Sequence, residues 1–227
     1  KKHNFDFYIH SSYWINLCTG KPLGSKASQK ITKNEIDLAN KLNIKYLVLH
    51  PGSATGHKRS SSDPKCKMAG IRSLARRLNR ILRNDETEVE ILLENTAHGN
   101  KTVGSKLEDF AILQKMFEFP DRINFCLDLG HAFAFGYDLE KTDEFIELID
   151  KNMGINKIKL IHIHDSAEKQ GSKLDKHEVP GKGFITEKHL INIINHPRLK
   201  DIPIIIEAPP LSFEENRKLL DKVKSWV

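Results

Sequence analysis

The sequence predicts an α/β fold with a parallel sheet of the (β/α)-barrel kind, and three observations carry that prediction. Short β-rich runs alternate along the chain with segments whose apolar residues recur about every 3.6 positions. Runs such as "YLVL" and "IPIII" are apolar nearly throughout, which suits strands buried on both faces. A histidine or a carboxylate stands at the C-terminal end of every run, and in a (β/α) barrel those ends open onto one face, where active sites are built.

In chain order, the first β-rich run covers residues 5–9 and leads into His10. A helical pattern follows at 32–42, then a strand at 45–49 that ends in "LVLHPGS" with His50 directly after the apolar residues. The helix at 68–82 precedes a strand at 89–93 and Glu94; the helix at 107–117 precedes a strand at 123–127 and Asp128. A helix at 142–151 leads to a strand at 157–163, whose end carries His162, and a helix at 187–194 leads to a strand at 202–206 and Glu207. The helical pattern at 213–223 closes the chain. No linker or low-complexity tract interrupts this order, so residues 1–227 are expected to form a single catalytic (β/α) barrel domain.

Composition narrows the function. The 227 residues are 39 % hydrophobic, enough to bury a substantial core. No apolar run approaches the roughly 20 residues of a membrane span and no signal-peptide pattern opens the chain, so the expectation is a soluble intracellular protein without membrane partners. Cys18, Cys66 and Cys126 are odd in number, far apart and lack a Cys-x-x-Cys pair, which argues against a disulfide framework or a thiolate zinc site. Lysine and arginine outnumber aspartate and glutamate by 36 to 30, and the pI is near 9.1, which favours a polyanionic partner.

The residues at the strand ends, His10, His50, Glu94, Asp128, His162 and Glu207, are all metal-ligand types. One such residue is more often a satisfied polar side chain; six that a barrel would bring to one face are harder to explain that way. His131 lies three residues past Asp128 in "CLDLGHAFAFGYDL", and "LDKHE" offers Asp175 and His177 two apart. One zinc takes about four ligands, so five histidines and four carboxylates could serve two or three ions, particularly if one carboxylate bridges. Sites with ions about 3.5–4 Å apart suit phosphoryl chemistry, and a basic chain with such a site suggests a phosphodiester substrate.

The motifs "YIHSSYWINL", "LVLHPGS", "LLENTAHGN", "CLDLGHAFAFGYDL", "HIHDS", "GSKLDKHEVPGKGFI" and "IIIEAPP" are spread along nearly the whole chain, and together they resemble the endonuclease IV family of abasic-site (AP) endonucleases. The resemblance implies a TIM-type (β/α)8 barrel. About six βα units are readable and the first two are apparently absent from the N-terminal side, so the domain is expected to be incomplete there. It further implies a zinc-dependent DNA repair hydrolase of base excision repair. Such an enzyme cuts the phosphodiester 5′ to an abasic site, leaving a 3′-hydroxyl and a 5′-deoxyribose phosphate, with 3′-end-cleaning phosphodiesterase or phosphatase activity beside it.

Carried over by position, the resemblance implies three Zn2+ ions, with Mn2+ able to take one or more of the places. His10 and His50 would hold the first, with Glu94 shared between it and a second held by Asp128, His162 and Glu207. His131, Asp175 and His177 would hold the third. Glu94, Asp128 and Glu207 are the expected catalytic carboxylates. Tyr13 stands where the family carries an aromatic wedge beside the lesion, the alternative being ordinary packing beside Trp14. Lys58 and Arg59 in "GHKRSSSDPKCK", with Lys169, Lys173, Lys176 and Lys182, are candidate phosphate contacts, the alternative being solvated surface. His3, His57, His164, His189 and His196 are expected at the surface or behind the ligands. Ser11 and His98 replace the Asp and Gly usual in the family. The expected partner is double-stranded DNA with abasic sites or blocked 3′ ends, bound by a monomer. The expected setting is a bacterial cytoplasm, with a nucleus, organelle or viral factory as alternatives.

Two other readings remain. A sugar isomerase or epimerase would use a single metal on Glu94, Asp128, His162 and Glu207, and would leave His10, His50, His131, Asp175 and His177 without a task. A catalytically impaired protein that binds DNA lesions would be favoured by loss of a ligand, and none is missing.

Overall fold

A computed structural model of the chain describes residues 6–57, 63–99 and 101–227. The described residues fall into two compact units, one within Lys1–Glu94 and Asn100–Phe125, the other within Asn95–Gly99 and Cys126–Val227.

The first unit holds the strands β1 (Tyr8–His10), β2 (Tyr46–Leu49) and β3 (Glu90–Glu94), with the opening residues of β4 (Ile123–Asp128) following in the sheet. β1 and β2 pair in parallel with Ile9 opposite Leu47; β2 and β3 pair in parallel with Leu47 opposite Ile91 and Leu49 opposite Leu93. Leu47, Val48, Leu49, Ile91, Leu92 and Leu93 are all buried, as expected for parallel strands covered on both faces. Phe110 and Phe125 meet edge to face at 5.1 Å beneath them. Parallel register matters for function because it brings successive C-terminal ends, His10, His50 and Glu94, to the same edge.

Among the described residues, three α-helices cover this unit. α1 (Pro22–Lys41) begins ten residues before the helix expected at 32–42. Its first half buries Ser25 and Ser28 rather than apolar residues, so hydrophobic periodicity does not reveal it. Ser28 accepts a hydrogen bond from Asn16 N at 3.0 Å, and Thr32 donates back to Ser28 O at 2.9 Å, which satisfies these buried hydroxyls. α2 (Pro64–Arg83) starts at an N-cap, Asp63, whose side chain accepts from Lys65 N, with Pro64 in the first turn. α3 (Glu108–Gln114) completes the set.

The second unit holds the end of β4, then α4 (Leu129–Phe135), α5 (Thr142–Asn152), β5 (Ile158–Ile163), β6 (Asp165–Ser166), β7 (His177–Glu178), α6 (Glu187–Ile194), β8 (Ile204–Ile206) and α7 (Phe213–Lys224). β5 and β8 pair in parallel, with Ile161 opposite Ile204 and Ile163 opposite Ile206. Pro203 has no N–H to give, and β8 begins after it although its carbonyl accepts from Ile161 N at 2.9 Å. α6 occupies the expected residues 187–194, capped by Thr186. α7 opens with a capping box in which Ser212 and Glu215 satisfy each other's backbone.

The sequence did not announce α4 or the antiparallel β6–β7 ladder, in which Asp165 opposes Glu178 and Ser166 opposes His177. α4 is only seven residues long, and a two-residue ladder carries no periodic signal. The first strand also starts later than expected, at Tyr8, and the run's first residue, Phe5, lies outside the described residues.

Candidate metal centre

In the first unit the ends of three neighbouring strands meet at one carboxylate. Glu94 is fully buried, and its Oε2 lies 3.1 Å from both His10 Nε2 and His50 Nε2. The two imidazoles stand edge to face, 5.2 Å apart. His10 Nδ1–H donates to Ser11 O at 3.0 Å, so in the neutral ring the lone pair is on Nε2 and faces Glu94. Behind this group, Glu35 of α1 accepts from Ser12 N at 3.0 Å. Burial pushes the Glu35 carboxyl above its ordinary range, against the lowering effect of Ser12 N–H and His10. Tyr13, 73 % exposed, stands 6.3 Å from the His50 ring.

The second unit contains two groups. In one, His162 Nδ1 lies 3.2 Å from Glu207 Oε1 and 3.9 Å from Asp128 Oδ2, and one ligand atom from each of the three residues lies within 4.8 Å of the others. In the other, Asp175 is held between His131 Nε2 on Oδ2 and His177 Nε2 on Oδ1, each at 3.1 Å. Burial would raise the Asp175 carboxyl, but the His131 and His177 imidazoles beside it outweigh that and hold it far below the usual range.

Local structure explains how these side chains are aimed. Asp128 ends β4 and caps α4 by accepting from His131 N, so strand end and helix start fix both residues. Asn95 clamps the same corner: its Nδ2–H donates to Asp128 O and its Oδ1 accepts from Asp128 N, both at 2.8 Å. His131 Nδ1–H donates to Asn95 O at 2.9 Å, and His177 Nδ1–H donates to Glu207 O at 3.0 Å. β7, tied to β6, carries His177 to its place.

A divalent ion fits these donors. Two ligand atoms bound tetrahedrally to one zinc stand about 3.3 Å apart, given bonds of about 2.0–2.1 Å. The 3.1–3.2 Å nitrogen–oxygen separations at Glu94, Asp175 and Glu207 match that spacing. His10, His131 and His177 each anchor Nδ1–H to a main-chain carbonyl and turn Nε2 to a carboxylate, the tautomer a metal ligand requires. Carboxylates as buried as Glu94 and Asp128 cost several kcal/mol each without compensating charge, which a cation would supply.

Two further residues organise the second unit: His164, expected at the surface or behind the ligands and found buried against Asp128, and Asp165, which the sequence did not single out. His164 is buried; its Nδ1–H donates to Asp165 O at 2.8 Å and its Nε2 faces Asp128 Oδ1 at 3.2 Å. Burial lowers its pKa, but the Asp128 carboxylate more than offsets this and the net shift is upward. Asp165, also buried, accepts four backbone N–H bonds: Ser166 and Ile185 on Oδ1, both at 2.7 Å, and Gly181 and Gly183 on Oδ2, at 2.9 and 3.0 Å. It thereby shapes the loop that exposes Lys182. A side chain at residue 183 would put its Cβ 2.3 Å from Ser166 O, so glycine is required there.

The candidate phosphate contacts fare differently. Lys169, Lys173, Lys176 and Lys182 are exposed, but Lys176 is paired with Glu168. Lys173 adopts a left-handed φ of 60°, held by its N–H on Ala134 O at 2.8 Å. Lys58 and Arg59 lie outside the described residues, as does His3.

Over residues 1–225 the chain matches the family described as Xylose isomerase-like TIM barrel. A protein named "Probable endonuclease 4" from Halothermothrix orenii is 37 % identical over 216 residues, which span 93 % of this chain and 74 % of that protein. The crystal structure of endonuclease IV from Thermus thermophilus superposes with a TM-score of 0.79 at 28 % identity, covering 96 % of this chain and 74 % of that one. A D-tagatose 3-epimerase-like protein shares the fold, with a TM-score of 0.73 at 18 % identity over 99 % of this chain and 78 % of that one.

Proposed function

Because the chain belongs to the endonuclease IV family of xylose isomerase-like TIM barrels, we propose that it is a zinc-dependent nuclease of DNA repair that hydrolyses the phosphodiester 5′ to an abasic site. The observation that carries the reading is the repeated ligand geometry: His10, His131 and His177 each present Nε2 to a carboxylate while Nδ1–H is tied to the main chain.

His10, His50 and Glu94 would hold a first ion; Asp128, His162 and Glu207 a second; and His131, Asp175 and His177 a third. Zinc suits this mixture of imidazole and carboxylate, and Mn2+ is the alternative occupant. When bound, such ions lower the pKa of water and offset charge on phosphate oxygens. Glu94, Asp128 and Glu207 hold the charge balance of the site and orient the attacking water. One water adds to phosphorus, the P–O3′ bond breaks, and the departing oxygen takes a proton to become the 3′-hydroxyl. The same bond is broken when a blocked 3′ end is cleaned.

Tyr13 is the wedge that fills the duplex beside the lesion, a role that fits its exposure at the rim of the His10–His50 group. Lys173 and Lys182 contact phosphates, and the protein acts as a monomer on DNA inside the cell. No helix among the described residues is long and apolar enough to cross a membrane. The rival one-ion sugar isomerase reading gives no task to Asp175, whose two oxygens are each faced by an imidazole.

The test is incision of an end-labelled duplex carrying one tetrahydrofuran abasic analogue. A single cut immediately 5′ to the analogue, abolished by a chelator, is the expected result. Intact duplex after incubation with metal-loaded protein would overturn the reading.

A further inference from the structure

α2 is uniformly basic: its 20 residues include seven lysines and arginines and no aspartate or glutamate. Lysine outnumbers arginine by 27 to 9 over the whole sequence, yet five of the nine arginines fall between residues 72 and 83. Arg72, Arg76 and Arg80 follow one another at every fourth position, and Arg83 lies on the same exposed stripe, opposite the buried Ile71, Leu74, Leu78 and Ile81. Like charges at this spacing repel across the helix surface. Arg80 and Arg83 stand in the last turn, where the helix dipole favours cations; Arg72 and Arg76 lie outside it. Of the four, only Arg83 has an acidic partner among the described residues, Glu118.

The stripe forms one wall of an open cleft of about 360 Å3, bounded on the other side by Met116 and Glu118, just past the end of α3. Asn79 fixes that far wall: its Nδ2–H donates to Met116 O at 2.9 Å and its Oδ1 accepts from Glu118 N at 3.1 Å. Because β2 and β3 are parallel, α2 leaves the end of the sheet that carries His50 and returns the chain to the opposite end before β3. The arginines therefore run from the middle of the helix to its C-terminus, away from His10, His50 and Glu94.

We propose that this cleft is a second polyanion site, one that holds the phosphodiester backbone of undamaged nucleic acid apart from the His10, His50 and Glu94 group. A guanidinium fork can take two phosphate oxygens at once, which an ammonium cannot, so arginine in a lysine-rich chain is the informative choice. Four residues of helix set successive forks about 6 Å apart, close to the repeat of phosphates along one strand. The lining offers only Ala75 and Met116 as apolar contacts. A protein partner would draw its affinity from buried apolar or aromatic anchors, whereas nucleic acid is held largely through its phosphates. The cleft thus suits a phosphodiester chain better than an acidic protein surface, and it includes none of the proposed metal ligands.

The test uses the metal-stripped full chain and a short, undamaged, fluorescein-labelled duplex, with anisotropy followed over a range of salt. Duplex binding by the stripped chain reads the cleft whether or not the metal-loaded chain incises. R72A/R76A/R80A puts alanine at three exposed helix positions and relieves their mutual repulsion, so its thermal midpoint should equal or exceed that of the parent. It is expected to weaken duplex binding by about 10-fold or more and to lower the slope of log K against log salt by about 3. R72K/R76K/R80K, which keeps the charge and loses the forks, should retain most of the slope with intermediate affinity. With metal restored, the alanine variant should incise saturating abasic duplex at the parental rate. Parental affinity and slope in the alanine variant would overturn the proposal and mark the stripe as solvated surface. Loss of saturated incision would also overturn it, by making the arginines part of the cleavage surface. So would a glutamate-rich peptide of equal charge whose binding needs the three arginines while duplex binding does not, the result expected of an acidic protein partner.

Discussion

Asp175 faces imidazole Nε2 atoms with both oxygens at 3.1 Å, and its carboxyl is held far below the usual range by them. Replacing it with Asn removes the charge that lets two histidines share a cation. D175N is expected to lose one ion per chain and to cut single-turnover incision by about 10²-fold or more, checked by plasma mass spectrometry and rapid quench. Tyr13→Ala should behave oppositely: ion content and stability unchanged within about 0.5 kcal/mol, but affinity for abasic duplex reduced by about 1–3 kcal/mol, read by fluorescence anisotropy. Residues such as His50 were legible in the sequence because an apolar run that ends on histidine breaks the strand pattern. His164 could be placed only as a residue at the surface or behind the ligands, because in "HIHDS" it alternates like any strand residue and its partners Asp128 and Gly130 are more than 30 positions away. Asp165 was hidden for the same reason, since three of its four amide partners come from residues 181–185.

Elements were most legible where burial was apolar. β2, β3 and α6 follow their expected positions because Leu, Ile and Val supply a clear period, whereas the first half of α1 rests on Ser25 and Ser28. α4 is fixed by its cap, Asp128, and by the glycine that ends it at a φ of 125°, neither of which needs an apolar pattern. Caps therefore give predictions at this scale. Ser212→Ala should cost about 1 kcal/mol through loss of the α7 capping box, measured by urea unfolding. Asp85 ties the end of α2 to the start of β4: its side chain is fully enclosed and is paired with Arg122 at 2.7 Å and with Thr87 at 2.8 Å. Burial would raise its pKa, but Arg122, Thr87 and Lys33 outweigh that and depress it. A depressed carboxyl contributes stability above its unfolded pKa of about 3.9 and loses it as pH falls through the folded value. D85N should thus cost about 2–3 kcal/mol at pH 7, and the deficit should shrink below about pH 4. An equal deficit at pH 7 and at about pH 2.5 would contradict that assignment.

At the scale of the whole molecule, a formal charge of +6 and a polyanionic substrate make affinity depend on salt. Lys182→Ala is expected to weaken abasic and intact duplex alike and to reduce the slope of log K against log salt by about 1, while Lys176→Ala, already paired with Glu168, should change it less. The parallel α/β sheet was legible from the alternation of elements and the TIM-barrel class from the family resemblance; that fold is shared with an epimerase-like protein, so the fold alone does not choose the reaction. In the proposed reading the ligand set does, and the most direct measurement couples occupancy to chemistry. Metal-stripped protein is reloaded with Zn2+ in steps, and ions per chain and incision of the tetrahydrofuran duplex are read on the same samples. Incision is expected to be absent from the stripped protein and to rise only as occupancy approaches about three ions per chain. Full incision by the stripped protein, or at one ion per chain, would contradict it.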